Sequence, residues 1–252
     1  METPFVLDIS RVPIQSWVGR LLRGALGLMP KRAAVAVLQG PLRGARWIVG
    51  SATHGCWMGT YELTKQKLFA GLITPGTVVF DIGANVGFYT LLAARVTGPS
   101  GRVYAFEPLP RNVAFLREHL RMNRVGNVEL VESAVSNFDG EGMFFADTDP
   151  HMGHLSLSGK FKVPVLQLSN FVEQHGASAP HLIKIDVEGA EAEVLDGAEA
   201  LLRRYRPRIL LATHSRPVHA ECCARLRALG YALESITDQP VAQTDELLAT
   251  AL

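Results

Sequence analysis

The stretch VVFDIGANVGFYT, residues 78–90, decides how the rest of the chain reads. A β-branched apolar run ends at Asp81, a glycine-rich turn follows, and a helix is expected to start near Val86. A strand that passes through glycines directly into a helix is the opening unit of an open α/β sheet, and ligands of such sheets bind outside the carboxyl ends of the strands. Gly83 lets the chain turn where a side chain would collide, and Gly87 permits close approach of helix and ligand. Asn85 offers amide hydrogen bonds in the same turn.

Outward from this unit, strands and helices alternate, the signature of a parallel sheet covered on both faces. Residues 102–107, 128–134, 181–186 and 208–213 are apolar runs of strand length, too apolar to be solvated. Helices are expected from near Arg111, Ala190 and Pro217, with Gly230 closing the last one. YALESI (231–236) and ELLATAL (246–252) are joined by a loop too short for a helical crossover, so they should pair antiparallel. The expected fold is therefore a doubly wound, Rossmann-like α/β sheet, mostly parallel with an antiparallel C-terminal strand.

Two segments lie outside that pattern. Residues 141–169 read as a hairpin insertion, with MFFA and FKVPVLQL as strands around the polar loop DTDPHMGH, which carries His151 and His154. From Ile14 to Leu38, Trp17, Leu21, Leu22, Ala25 and Leu28 recur at helical spacing, broken by Gly24, Gly27 and Pro30; PLRGARWIVG (41–50) then reads as a turn and a short strand. The expected division is a cap of helices and short strands over residues 1–60 and a ligand-binding domain over 61–252.

Length and composition suit this reading. The chain has 252 residues, 48% of them hydrophobic and 19% charged, which is ordinary for one globular core. A formal net charge of +1 conceals an asymmetry: residues 1–46 hold seven basic and two acidic residues, leaving 18 basic and 22 acidic in the rest. The basic segment is a solvated cationic face or a weak peripheral contact with a membrane or acidic partner, and nothing points to nucleic acid. Cys56, Cys222 and Cys223 have no metal-type or disulfide-framework spacing, and no apolar run approaches a membrane span. A cytoplasmic location is expected. The oligomeric state is not readable, a homodimer being compatible with these residues.

Chemistry begins at Glu107, which ends the second strand twenty residues after Gly87, where a carboxylate accepts hydrogen bonds from ribose hydroxyls. The ligand should therefore contain a nucleoside. The turn G-x-N-x-G lacks the G-x-G-x-x-G spacing that embraces a pyrophosphate. Asp81 would repel phosphate but suits an ammonium or sulfonium group. Asn112 is positioned either to reach the adenosine or to cap the following helix, and Ser133 with Ala134 end the third strand with side chains small enough for a flat adenine ring.

These motifs carry a resemblance. DIGANVGFYT (81–90), YAFEPLPRNVAFLREHLRMN (104–123) and HLIKIDVEGAEAEVLDGAEALL (181–202), in that order, resemble the FkbM family of S-adenosylmethionine-dependent methyltransferases. The likeness runs from about Gly40, through GPLRGARWIVG and WMGTYE, to about residue 213. It implies a class I methyltransferase sheet, S-adenosylmethionine as cofactor, and O-methylation of a sugar, glycolipid or polyketide-type natural product, a small-molecule or glycan hydroxyl. By resemblance Asp81, Gly83, Asn85 and Gly87 surround the methionine part, Glu107 the ribose, and Ser133 and Ala134 the adenine, while Pro108 is a further cofactor-binding residue and Glu62 of GTYE closes over the pocket. Ser169 stands where the family commonly has an aspartate, which puts that residue's role in doubt here.

A hydroxyl acceptor must lose a proton, so a base is sought among strand ends beside the cofactor. IKIDVEGAE (183–191) puts Lys184 and Asp186 on one face of the fourth strand, with Asp186 at its ligand-facing end. Asp186 is the leading base or substrate orienter, and His214, ending the fifth strand, is the alternative. Glu188 is a further candidate, with helix-dipole pairing as its other role; Glu191 reads as a helix-dipole residue and Lys184 as a paired structural charge. No compact metal-ligand motif is present, although Asp186, Glu188 and His214 are able to converge on a divalent ion. Two rivals stay open from the residues alone: a nicotinamide-dependent oxidoreductase on the same sheet, and a non-catalytic binding module.

Overall fold

All five residues of Val78–Ile82 are buried, because the strand they form lies mid-sheet with packed layers on both faces. The computed structural model describes residues 26–146, 153–155 and 161–252, together with positions 16, 17, 20 and 24. Ahead of the principal sheet lie β1 (Ala34–Ala36), β2 (Arg46–Ile48), α1 (His54–Met58) and α2 (Leu63–Gly71). The main domain follows with β3 (Val78–Ile82), α3 (Phe88–Thr97), β4 (Arg102–Phe106), α4 (Pro110–Met122), β5 (Val128–Val131) and β6 (Ala134–Val135). Next come β7 (Gly140–Ala146), β8 (Gly153–Leu155), β9 (Phe161–Leu166), α5 (Leu168–His175) and β10 (Leu182–Ile185). The chain closes with α6 (Glu191–Gly197), α7 (Glu199–Tyr205), β11 (Arg208–Ala212), α8 (Arg216–Ala228), β12 (Tyr231–Ser235) and β13 (Glu246–Ala251).

Among the described residues the principal sheet has seven strands in the order β12-β13-β11-β10-β3-β4-β5. Pairing is parallel from β11 through β10, β3 and β4 to β5, and β13 enters antiparallel between β11 and β12. The expected doubly wound sheet with an antiparallel finish is what the chain forms. Alternation along the strands divides the core: Phe80, Ile82, Phe106 and Ile183 pack on one face, Val79, Val103, Leu182 and Leu210 on the other. Strand order reverses between β3 and β10, so their carboxyl ends diverge into a crevice.

Several expectations need correction. The run 128–134 is two strands, since β5 stops at Val131 and Ala134–Val135 leaves the main sheet to pair in parallel with β9. The expected hairpin is part of a four-stranded sheet, β6-β9-β7-β8, and its second strand ends at Leu166 because α5 starts at Leu168. Helix α3 starts at Phe88 rather than Val86, as Asn85 and Gly87 hold left-handed backbone that delays it. In the cap, residues 34–36 are a strand paired with β2, not helix. Trp17 and Leu28, read as part of an apolar stripe, are 74% and 85% exposed. Leu21, Leu22, Ala25 and His151 lie outside the described residues, as does the side chain of His154.

Candidate functional site

A cavity of about 500 Å³ opens at the crevice, lined from β3 by Ile82, from its turn by Gly83–Val86, from β4 by Phe106–Leu109, and from β10 and β11 by Lys184, Asp186 and His214. Thr53 and Cys56, with Tyr61, Glu62 and Lys65 at the start of α2, close one side, and Glu246 of β13 another. Its size falls within the range of pockets that enclose most of a nucleoside-sized ligand. Among the described residues five non-glycine residues have left-handed backbone, and three of them, Glu62 (φ 46°), Asn85 (φ 50°) and Glu188 (φ 58°), line this cavity. Backbone strain of this kind gathers at functional sites.

Gly83 makes the crevice. Its φ is +74°, and a Cβ there would lie 1.9 Å from the backbone oxygen of Asp186, so β3 and β10 reach this separation only with glycine. The N–H groups of Gly83 and Ala84 both donate to the Phe106 carbonyl, which ties the turn to β4. Gly87 acts differently: a Cβ would meet Leu116 Cδ1 at 2.2 Å, so its role is packing of α3 against α4. It does not line the cavity.

Glu107 is 4% exposed and its carboxylate is already shaped by the protein. Oε2 accepts from Asn85 N–H at 2.8 Å, while Oε1 accepts from Leu109 N–H at 2.9 Å and from Asn112 Nδ2 at 3.2 Å. Burial, opposed by these hydrogen bonds, pushes its carboxyl up to about 7. Asn112 is thus a holder of Glu107 on the cavity wall, not a helix cap; Leu109 holds the N-cap position of α4. Pro108, Ser133 and Ala134 line the same end, joined by Val135 and Phe144, which sequence reasoning missed.

Asp81 is fully buried beneath the cavity instead of facing it. Thr90 Oγ1 donates to Asp81 Oδ2 at 2.6 Å, and Lys184 Nζ stands 3.4 Å from Oδ1 and 3.3 Å from Asp186 Oδ2. Burial alone would lower the Lys184 ammonium, but the two aspartates overcome it and hold Lys184 above its usual range. Burial likewise works against the charged form of Asp186, yet Lys184, Lys65 and His214 together keep its carboxyl below the ordinary value. A carboxylate so held is a weak proton acceptor.

His214 has the opposite surroundings. Its Nδ1 lies 2.7 Å from Glu191 Oε1, and Nε2 lies 3.4 Å from both Asp186 Oδ1 and Glu188 Oε2. The hydrogen bond to Glu191, partly offset by burial, raises the imidazole to about 9, with the neighbouring carboxylates adding to the effect. Donor atoms of Asp186, Glu188 and His214 lie within 4.8 Å of one another, close enough to surround a small cation. Lys184, 3.3 Å from Asp186 Oδ2, already compensates the charge of one member of the trio. The remaining wall is also charged: Lys65 pairs with Glu246 at 2.6 Å and Glu62 at 3.7 Å, and Tyr89 donates to Glu62 Oε2 at 2.7 Å.

Residues 81–233, more than half of the chain, match the model of the methyltransferase FkbM domain. The chain belongs to the FkbM methyltransferase family. It is 32% identical over 162 residues to the 31-O-demethyl-FK506 methyltransferase FkbM of Streptomyces tacrolimicus, covering 50% of this chain and 61% of that one. It is 28% identical over 161 residues to the 2-O-methyltransferase NoeI of Sinorhizobium fredii, covering 56% of this chain and 65% of the relative. The matched region thus spans a little over six tenths of those relatives. The fold is similar to a crystal structure of methyltransferase FkbM from Methylobacillus flagellatus, with a TM-score of 0.52 at 16% identity over 78% of this chain and 53% of that one.

As an FkbM methyltransferase the chain takes S-adenosylmethionine as cofactor, and its cavity suits that molecule. Carboxylates of Glu62, Glu107, Asp186, Glu188 and Glu246 outnumber the ammonium groups of Lys65 and Lys184 on the wall, which favours a sulfonium and opposes a pyrophosphate. The nicotinamide reading falls with the family assignment. Ser169, the departure from the family pattern, accepts the backbone N–H of Leu201 in α7 at 3.3 Å and does not line the cavity. Among the described residues no helix is long and apolar enough to cross a membrane, and Cys56, Cys222 and Cys223 are buried free thiols.

Proposed function

We propose that this FkbM-family methyltransferase transfers a methyl group to a hydroxyl of a sugar, glycolipid or polyketide-type natural product, with His214 as the base. The observation that carries the reading is the imidazole of His214 on the cavity wall, with Nδ1 2.7 Å from Glu191 and Nε2 turned toward the cavity-lining Asp186 and Glu188, while Asp186 is paired with Lys184. In the reaction S-adenosylmethionine supplies the methyl group, and the electron pair of the broken carbon–sulfur bond stays on sulfur. Glu107 holds the ribose, with Asn85 and Asn112 fixing its carboxylate, and Ser133, Ala134 and Val135 border the adenine. Gly83 and Asn85 adjoin the methionine part, and Asp81 acts from beneath through Lys184. The acceptor oxygen loses its proton to His214 Nε2, while Asp186 and Glu188 orient the hydroxyl.

The relatives' names support an oxygen acceptor, one being a 31-O- and the other a 2-O-methyltransferase. The polar wall of Glu62, Lys65, Glu188 and Glu246 favours a polyhydroxylated acceptor over an apolar one. We read residues 1–60 as the cap and 61–252 as the catalytic domain; three buried free thiols support a cytoplasmic site of action. The test is methyl incorporation from labelled S-adenosylmethionine into sugar nucleotides, glycolipids and macrolide-like alcohols. Incorporation that His214→Gln abolishes while S-adenosylhomocysteine still binds is the expected result. Incorporation at nitrogen or carbon, or full activity in that variant, contradicts the reading.

A further inference from the structure

We propose that Glu191 is the positioning residue of the transfer: its buried carboxylate holds the Nδ1 side of His214, leaving Nε2 as the nitrogen that takes the acceptor's proton. The inference rests on the reading of His214 as base. Its helical position alone assigns Glu191 a routine role next to a helix start, but the geometry gives it a specific partner.

Glu191 is 0% exposed and does not line the cavity, so it has no route to the acceptor or the cofactor. Its Oε1 accepts twice, from Gly189 N–H at 2.9 Å and from His214 Nδ1 at 2.7 Å, and Oε2 has no hydrogen-bond partner among the described residues. The turn that delivers it is unusual: Glu188 and Gly189 have consecutive positive φ values of 58° and 108°, and this bend aims both Glu188 and Glu191 at one imidazole. A carboxylate that engages one ring nitrogen fixes the tautomer and strengthens the other nitrogen as a base.

His214 and its carboxylate partners are surrounded from β10, the turn after it and α8. Asp186 and Glu188 approach Nε2 from the end of β10 and the following turn. Lys184 on β10 neutralises Asp186. On α8, which packs against α6, the Cys222 thiol is pushed up to about 12 by burial and then by Glu191, so it stays neutral and leaves Glu191 as the charge behind the ring. Of these influences the Glu191 hydrogen bond is the largest, and with the carboxylates of Asp186 and Glu188 it outweighs burial and raises His214 to about 9. At pH 7 about one ring in a hundred is then neutral, and that fraction grows about ten-fold per pH unit until the midpoint.

The experiment is histidine-ring NMR titration of the full chain labelled at histidine, with the His214 signal assigned by its loss in His214→Gln. In the wild type His214 should titrate near pH 9, with the remaining proton of the neutral ring on Nδ1. Glu191→Gln, which keeps the shape and removes the charge, should lower that midpoint by about one pH unit or more, and Glu188→Gln should lower it by less. A wild-type midpoint at the ordinary histidine value, a proton on Nε2 in the neutral ring, or an unchanged midpoint in Glu191→Gln overturns the proposal. If Glu191→Gln does not fold, the wild-type midpoint and tautomer still decide it. Calorimetry with S-adenosylhomocysteine on the same samples separates the readings: failure of the wild type to bind sinks the site assignment, normal binding with an unperturbed His214 removes the support for His214 as base, and a raised His214 that Glu191→Gln leaves unchanged sinks only the role of Glu191.

Discussion

Glu107 and His214 carry opposite consequences of being enclosed at one site. With its carboxyl near 7, Glu107 is largely protonated at pH 6 and largely ionised at pH 8, and only the ionised form accepts freely from two ribose hydroxyls. Affinity for S-adenosylhomocysteine should therefore rise roughly ten-fold between pH 6 and 8, and Glu107→Gln should flatten the profile. In the unliganded protein the sign is reversed: a carboxyl raised above its unfolded value favours the fold most below about pH 4.5, and that contribution is lost as pH rises through 7. His214, raised above the unfolded value, stabilises fully below about pH 6.5, and this is lost as pH climbs through 9. Urea denaturation should show the wild type losing on the order of 1–2 kcal/mol across that upper window after solvent screening, and His214→Gln losing less. Glu107, Asp186 and His214 were legible because each ends a strand, where the fold rule puts ligands. Lys65 and Glu246 were not: 181 residues separate them, and their 2.6 Å contact exists only once β13 inserts beside β11.

At the scale of elements, the turn between β3 and α3 is the most demanding piece of backbone. Gly83→Ala adds a Cβ at φ +74° that runs into the rigid carbonyl of Asp186, whereas Gly87→Ala at φ +91° meets the movable end of Leu116. Chemical denaturation should rank them accordingly, with Gly83→Ala costing about 3–5 kcal/mol and Gly87→Ala about 1–3. The main strands could be read from sequence because buried parallel strands are continuous apolar runs, and β12 and β13 because their connection is short. β6 was not separable from β5, since its two residues pair with partners 31 residues later and no local pattern records that. Helix α5 was hidden for a similar reason: Leu168 continues the apolar run of β9, while Phe171 and Val172 show their helical face only against the core.

Across the whole molecule, His119 couples the cap to the cofactor turn. Its fully buried ring stacks on Trp47 at 4.0 Å, accepts the N–H of Ile48 in β2 through Nε2 at 3.1 Å, and engages the Val86 carbonyl through Nδ1 at 2.8 Å. Burial lowers the ring to about 4, so it stays neutral at physiological pH and keeps one donor and one acceptor. His119→Leu fills similar space but leaves a buried N–H and a buried carbonyl unpaired, which should cost about 2–4 kcal/mol. Hydrogen exchange at Ile48 and in the 83–87 turn should accelerate together, and faster exchange in only one of them would separate cap from turn. Nothing in the sequence flagged His119, because both its partners are backbone groups far away in the chain. The account as a whole stands on Glu107 holding the nucleoside of the methyl donor. Calorimetry of S-adenosylhomocysteine with wild type and Glu107→Ala tests it directly: the prediction is clear binding by the wild type and at least about ten-fold weaker binding by the variant, whereas equal affinities, or no heat with either, would contradict it.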